Sequence, residues 1–172
     1  MTNADELVVL LHGIARTRRS MRRMEVVLAG AGYGTLNFAY ASRSRGIVLL
    51  AGDIAHELAR AGAWSGSRRV HFVTHSMGGL VAARYLNDFR ASIPVGKMGR
   101  VVMLAPPNAG SEVADLLSRF PPYRWFYGPA GQELTTAARS AAIVAPHYEL
   151  GVIAGSTGWP YLVGQYPDPP GQ

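Results

Sequence analysis

Short apolar runs alternate with stretches of helical period along this chain. LVVLL, Leu7 to Leu11, is a continuous apolar run with no polar face, the mark of a strand buried on both sides. Arg19 to Ala31 carries Met21, Met24, Val27 and Leu28 at helical spacing and is closed by AGAGYG, so a helix is predicted there. TLNFAY, Thr35 to Tyr40, reads as a second strand, and Ile47 to Ala61 as a second helix ended by Gly62. RVHFVTH, Arg69 to His75, is a third strand that runs directly into a third helix, Ser76 to Phe89. RVVMLAP, Arg100 to Pro106, is a fourth strand stopped by Pro106 and Pro107. An irregular stretch rich in proline and aromatics follows, with a short helix near Gln132 to Ala142, and LGVIAGS, Leu150 to Ser156, is a fifth strand. The tail GWPYLVGQYPDPPGQ reads as coil.

Strands alternating with helices imply right-handed βαβ units and a mostly parallel sheet covered on both faces. The expected architecture is a three-layer α/β/α sandwich formed by one domain over residues 1–172, without repeats or an internal linker. In open sheets of this kind a site lies at the carboxyl ends of the strands. HGIAR, AYASR, THSMGG, APPNAG and AGSTG all follow strands, so the chemistry-bearing residues collect where such a fold would use them.

Composition narrows this picture. Hydrophobic residues make up 48% of the 172 positions and charged residues 16%, which is a folded globular composition. The absence of cysteine excludes disulfides, thiolate metal sites and a cysteine nucleophile. The net charge of +6 is carried almost entirely by arginine, with the densest cluster in RTRRSMRR, Arg16 to Arg23. Charge alone, without a matching fold, does not make a nucleic-acid binder. A solvated helix start whose alkyl stems lie over apolar surface accounts for the cluster, and no nucleic-acid partner is expected. No apolar run reaches transmembrane length. The acids in MTNADELVVLL stand where a signal peptide would need positive charge, so a soluble, cytoplasmic chain is expected.

The junction VTHSMGGLVAARYL, Val73 to Leu86, carries the sharpest chemical signal. A serine is a poor nucleophile unless its proton is removed as it attacks. A tight strand-to-helix turn exposes such a serine over a helix N-terminus and needs small residues two before and two after it. Those positions are Thr74 and Gly78 around Ser76; Thr74 is bulkier than the glycine of the strict pattern. The plain alternative is that Ser76 is only a helix N-cap. The end of the first strand, His12-Gly13-Ile14, tips the balance, because a glycine there lets the chain turn so that the Ile14 N–H can face the same oxyanion as the Met77 N–H.

Together these segments resemble the α/β-hydrolase superfamily, specifically its small bacterial lipases and esterases. LLHGIAR is similar to their oxyanion segment, VTHSMGGLVAARYL to their nucleophile elbow, VVMLAPPNAGSEVAD to the strand and loop that follow, and LGVIAGS to a later strand. The resemblance implies hydrolysis of a small-molecule ester through an acyl-enzyme. Ser76 would be the nucleophile, Ile14 and Met77 the oxyanion donors, and His12 a structural residue of the oxyanion loop. RFPPYRWFYG, Arg119 to Gly128, matches the position where the family often builds an acyl-pocket wall or small cap. Nothing in the sequence calls for a cofactor or metal.

The same family places an acid after a late strand and a histidine after that. Asp168 is the only acid beyond the fifth strand, and its PDPPG context is also simple turn chemistry. No histidine follows it. His75 flanks the serine and should point away; His71 lies on the third strand and His56 on the second helix. His147 is the last histidine and precedes the fifth strand, at the wrong end of the sheet. The triad histidine is therefore unassigned, with His147 as a weak candidate. The expectation is a chain that stops before the family's last segment and leaves its fifth strand as an open edge, covered by Trp159, Tyr161 and Leu162 or by a second copy. The alternative to an esterase is a degenerate hydrolase fold that holds acyl ligands or a partner without efficient turnover.

Overall fold

The structure, a computed structural model, describes residues 5–106 and 147–153. Among the described residues five strands form one sheet in the order β2-β1-β3-β4-β5, with every neighbouring pair parallel. They are β1 (Glu6–Leu11), β2 (Gly34–Asn37), β3 (Arg69–His75), β4 (Met98–Leu104) and β5 (Glu149–Ile153). Between them run α1 (Arg22–Gly30), α2 (Ile47–Arg60), the short α3 (Ala63–Gly66) and α4 (Met77–Asp88). No helix among the described residues is long and apolar enough to cross a membrane.

The unbroken apolar run of β1 is explained by its neighbours on both sides. Val9 and Leu11 face one cluster with Phe72, Val101, the α2 residues Leu50, Ile54 and Leu58, and the α4 residues Val81 and Leu86. Val8 and Leu10 face the other, with Met21, Met24, Leu28 and Val73. So α2 and α4 cover one face and α1 the other, which is the expected three-layer sandwich. Leu50, Ile54 and Leu58 recur at every fourth position, and each is no more than 1% exposed. Burying one such side chain contributes about 1.5–3 kcal/mol.

Local boundaries differ from the sequence pattern for identifiable reasons. The first helix opens as a 3-10 turn, Arg18–Met21, behind an extended Thr17 that makes no side-chain cap. Met21, Met24 and Leu28 pack as expected, but Val27 lies outside that stripe and is 65% exposed. β2 stops at Asn37, short of the predicted Tyr40, because the chain swings across the end of β1 and the Tyr40 hydroxyl donates to the His12 carbonyl. β4 begins two residues early, at Met98, and its register against β3 shifts between Val70 and Phe72. His71 fills that irregularity. Its Nδ1 accepts the Arg100 N–H at 3.0 Å, which leaves Nε2 to donate to Glu6 at 3.0 Å. A Cβ on Gly99 would lie 2.5 Å from that ring, so only glycine fits there. β5 covers 149–153 as the outermost described strand, with all five residues exposed. The predicted helix near Gln132 and the residues Trp159, Tyr161 and Leu162 lie outside the described residues.

The strand order places a topological switch point between β1 and β3, where the chain departs first to one side and then to the other. The loops after these two strands therefore diverge and leave a crevice at their carboxyl ends. His12-Gly13-Ile14 and Ser76 are those two loops.

Candidate active site

Among the described residues three non-glycine residues have positive φ, and each follows a strand at this end of the sheet: Ala15 at 54° after β1, Ser76 at 51° after β3 and Ala105 at 45° after β4. Ser76 is the most unusual, because its ψ of −124° also lies far from the left-handed helical basin. Holding a serine there costs on the order of 1–3 kcal/mol and persists only where the surroundings enforce it. They do so here through three constraints. The Ser76 N–H donates to the Leu104 carbonyl at 2.9 Å, the Ser76 carbonyl accepts the Gly79 N–H at 2.9 Å, and α4 is buried along Met77 to Ala82.

The small residues around the serine have separate tasks. A Cβ on Gly78 would stand 2.6 Å from the Leu11 carbonyl oxygen and 2.9 Å from that of His12. Only glycine lets the first turn of α4 sit this close to the end of β1. A Cβ on Gly79 would lie 3.4 Å from Thr74 Oγ1 and 3.2 Å from Met103 Sδ. The room for the bulkier Thr74 thus comes from the helix, through Gly79. Thr74 is fully buried, and its hydroxyl has no hydrogen-bond partner among the described residues.

The segment His12 to Ile14, predicted to supply an oxyanion donor, lies directly against the serine. A Cβ on Gly13 would be 3.2 Å from Ser76 Cβ and 3.0 Å from His75 Nδ1. Ile14 follows at once, and Met77 opens α4, whose first N–H groups have no intrahelical acceptor. This segment is fixed from behind. His12 is fully buried, its Nδ1 donates to the Gly13 carbonyl at 2.9 Å, and its ring stacks on Tyr40 with centroids 4.1 Å apart and planes 6° off parallel. Burial lowers the His12 pKa, so the ring is neutral, and it raises that of Tyr40, which keeps its hydroxyl proton and donates it to the His12 carbonyl. Tyr40 is the residue the sequence reading missed; a tyrosine at the end of a predicted strand carries no signal that it will reach back over β1.

All five histidines fall among the described residues, and they are spread apart. His12 supports the oxyanion segment. His56 is exposed on α2. His71 bridges Glu6 and Arg100. His75 points to the α1 side of the sheet, where it lines an open cleft of about 350 Å³ with Arg16, Met21 and Leu104. Burial, and secondarily the charge of Arg16, lower its pKa. His147 precedes β5, whose parallel register pairs Glu149 with Arg100, so it stands at the end of the sheet opposite Ser76. No hydrogen bond joins any of these rings to the Ser76 hydroxyl. Asp168 and the stretch Arg119 to Gly128 lie outside the described residues, and no metal-binding cluster occurs among those described.

Comparison with known proteins gives the same outline. The model of the family described as "Alpha/beta hydrolase family" matches residues 8–170. No curated protein matches the sequence. Among solved structures, a mature lipase of Bacillus licheniformis superposes with a TM-score of 0.65 at 22% identity over 80% of this chain. A monoacylglycerol lipase of Paleococcus ferrophilus superposes with a TM-score of 0.58 at 21% identity over 88% of this chain and 74% of its own. An esterase of Exiguobacterium antarcticum does so at 0.53 and 14% identity, over 81% of this chain and 67% of its own. This chain spans 58% of the Bacillus lipase.

Proposed function

The chain belongs to the alpha/beta hydrolase family, and from that premise we propose that it hydrolyses carboxylic esters through an acyl-enzyme on Ser76. One observation carries the proposal: the strained Ser76 backbone, φ 51° and ψ −124°, at the strand-to-helix junction beside the switch point. That geometry suits a nucleophile held at the start of α4, and the Ser76 hydroxyl is not used to cap the helix. In the reaction Ser76 Oγ bonds to the ester carbonyl carbon as its proton leaves to a base. The carbonyl oxygen becomes an oxyanion, held by the N–H groups of Ile14 and Met77. Its collapse breaks the ester bond and releases the alcohol, which takes up a proton. Water then adds to the acyl-enzyme by the same route and releases the acid. Preorganised donors of this type are worth roughly 3–4 kcal/mol each.

The placement of the histidines supports a second reading. None is hydrogen-bonded to Ser76, and the one beside it in sequence lines the cleft on the α1 side of the sheet. A chain of this shape would bind acyl groups at the elbow without efficient turnover.

Hydrolysis of a short p-nitrophenyl ester, and capture by a p-nitrophenyl phosphonate read by intact mass, separate the two. The esterase reading expects turnover that falls by on the order of 10⁴ or more in Ser76→Ala, together with one phosphonyl adduct lost in that variant. Equal rates in parent and variant, with no adduct, overturn it in favour of the second.

A further inference from the structure

We propose that the cleft beside Ser76 is a subsite for an anionic group, so that the preferred esters carry a carboxylate, sulfonate or phosphate close to the scissile bond. The inference rests on the esterase reading for its relation to catalysis, but its physical basis is separate.

The cleft opens between the segment after β1, the start of the first helix and the ends of β3 and β4. Among the described residues its apolar lining is Met21, Met24 and Leu104, and its polar lining is Arg16, Arg23, Ser20 and His75, with no acid. It shares its wall with the nucleophile. His75 immediately precedes Ser76, and Leu104 offers the carbonyl that accepts the Ser76 N–H at 2.9 Å. The His75 ring and Ser76 Cβ also both lie against Gly13, 3.0 and 3.2 Å from where its Cβ would stand, so an ester bound at Ser76 can reach into the cleft.

The charges around it are unbalanced. Five arginines elsewhere meet acids: Arg45 with Asp53, Arg60 with Glu57, Arg68 with Glu6, Arg84 with Asp88 and Arg100 with Glu149. The five arginines of RTRRSMRR, by contrast, are exposed and have no acidic partner among the described residues. Glu25 stands in the first turn of α1 and could have served them, but it accepts the Asn37 side-chain N–H at 2.8 Å instead. No acid precedes it in the first turn of the 3-10 segment, so the positive end of that helical start also goes uncompensated. A concave, partly apolar wall with two guanidinium groups and no counter-charge among the described residues favours an anion and would exclude a cation. The depressed His75 pKa is consistent, since a neutral ring can accept or donate without adding charge.

The test compares three esters of matched length: neutral p-nitrophenyl hexanoate, the mono-p-nitrophenyl ester of hexanedioic acid, and a nitrophenyl hexanoate sulfonated on the ring. The second carries the anion on the acyl side and the third on the leaving group. One of the two anionic esters should exceed the neutral one in kcat/KM. That ratio should drop about tenfold in Arg16→Gln or Arg23→Gln, the low end for a hydrogen bond to a charged group, and should shrink as salt is raised. Arg60→Gln, at a distant paired arginine, should keep the parent ratio. A second measurement needs no turnover. Hexanedioate titrated into Ser76→Ala should shift the His75 ring resonances at lower concentration than hexanoate, and Arg16→Gln should remove the difference. Loss of ester turnover with the anion preference intact in this titration would overturn the esterase reading alone. Anionic and neutral ligands indistinguishable in the titration, or a ratio unmoved by both arginine variants, would overturn the subsite.

Discussion

Gly78→Ala puts the structural argument at greatest risk. The added methyl group would stand 2.6 Å from one backbone carbonyl oxygen and 2.9 Å from the next, where ordinary carbon–oxygen contact begins near 3.4 Å. Both oxygens belong to the rigid end of β1, so neither can rotate away as a side chain would. The start of α4 must retreat by several tenths of an ångström, and Ser76 moves with it, away from Gly13. Overpacking of this type costs about 1–3 kcal/mol, which lowers Tm by roughly 2–12 °C in a domain of this size. Activity should suffer more than stability, since misplacing a reacting group by about 1 Å costs on the order of a hundredfold. Gly52→Ala is the internal control. Gly52 sits inside α2 with nothing within 4 Å of a Cβ, so alanine there should stabilise by roughly 0.5–1 kcal/mol through backbone entropy and leave kcat/KM at its parent value. Thermal melts and ester kinetics on both variants and the parent decide the matter. If Gly78→Ala melts with the parent and turns over as fast, the close approach of α4 to β1 is wrong, and with it the account of how Ser76 is held.

Two further outcomes follow from the residues behind the site. Tyr40→Phe keeps the ring stack on His12 but deletes the donor to the His12 carbonyl; it should cost about 1 kcal/mol of stability and lower kcat/KM roughly tenfold or more as the oxyanion segment loosens, and kinetics matching the parent would show that the hydroxyl does not position the loop. His12 and His75 both have depressed pKa values, so the unfolded chain takes up protons near pH 6.5 that the folded chain declines. Stability should therefore be level above about pH 7.5 and fall as the pH drops through about 6.5, by at most about 1.4 kcal/mol per pH unit for each proton taken up only on unfolding. Melts recorded between these limits should show a shallower fall in His75→Asn, and equal slopes in variant and parent would mean the ring titrates freely in the folded state.

Much of this protein was legible in its sequence because the relevant signals are local. Continuous apolar runs of strand length mark strands covered on both faces, and β1, β3 and β4 lie where those runs fall. The Ser76 elbow is readable because a strand, a serine and two glycines in that order have few other uses. Tertiary structure alone decided the rest. The strand order that sets the crevice between β1 and β3 depends on pairings across dozens of residues, which no local pattern encodes. Gly78 and Gly79 look alike in the sequence, but one meets the backbone of β1 and the other makes room for Thr74. Tyr40 was read as strand because alternation says nothing about a chain leaving the sheet to reach a neighbour's carbonyl. The arginines of RTRRSMRR read as ordinary surface charge, and only the folded arrangement shows acids beside five of the other arginines and a cleft beside these. A residue's type sets what it can do, but its partners are chosen by parts of the chain far from it, and most of the chemistry of this site rests on those partners.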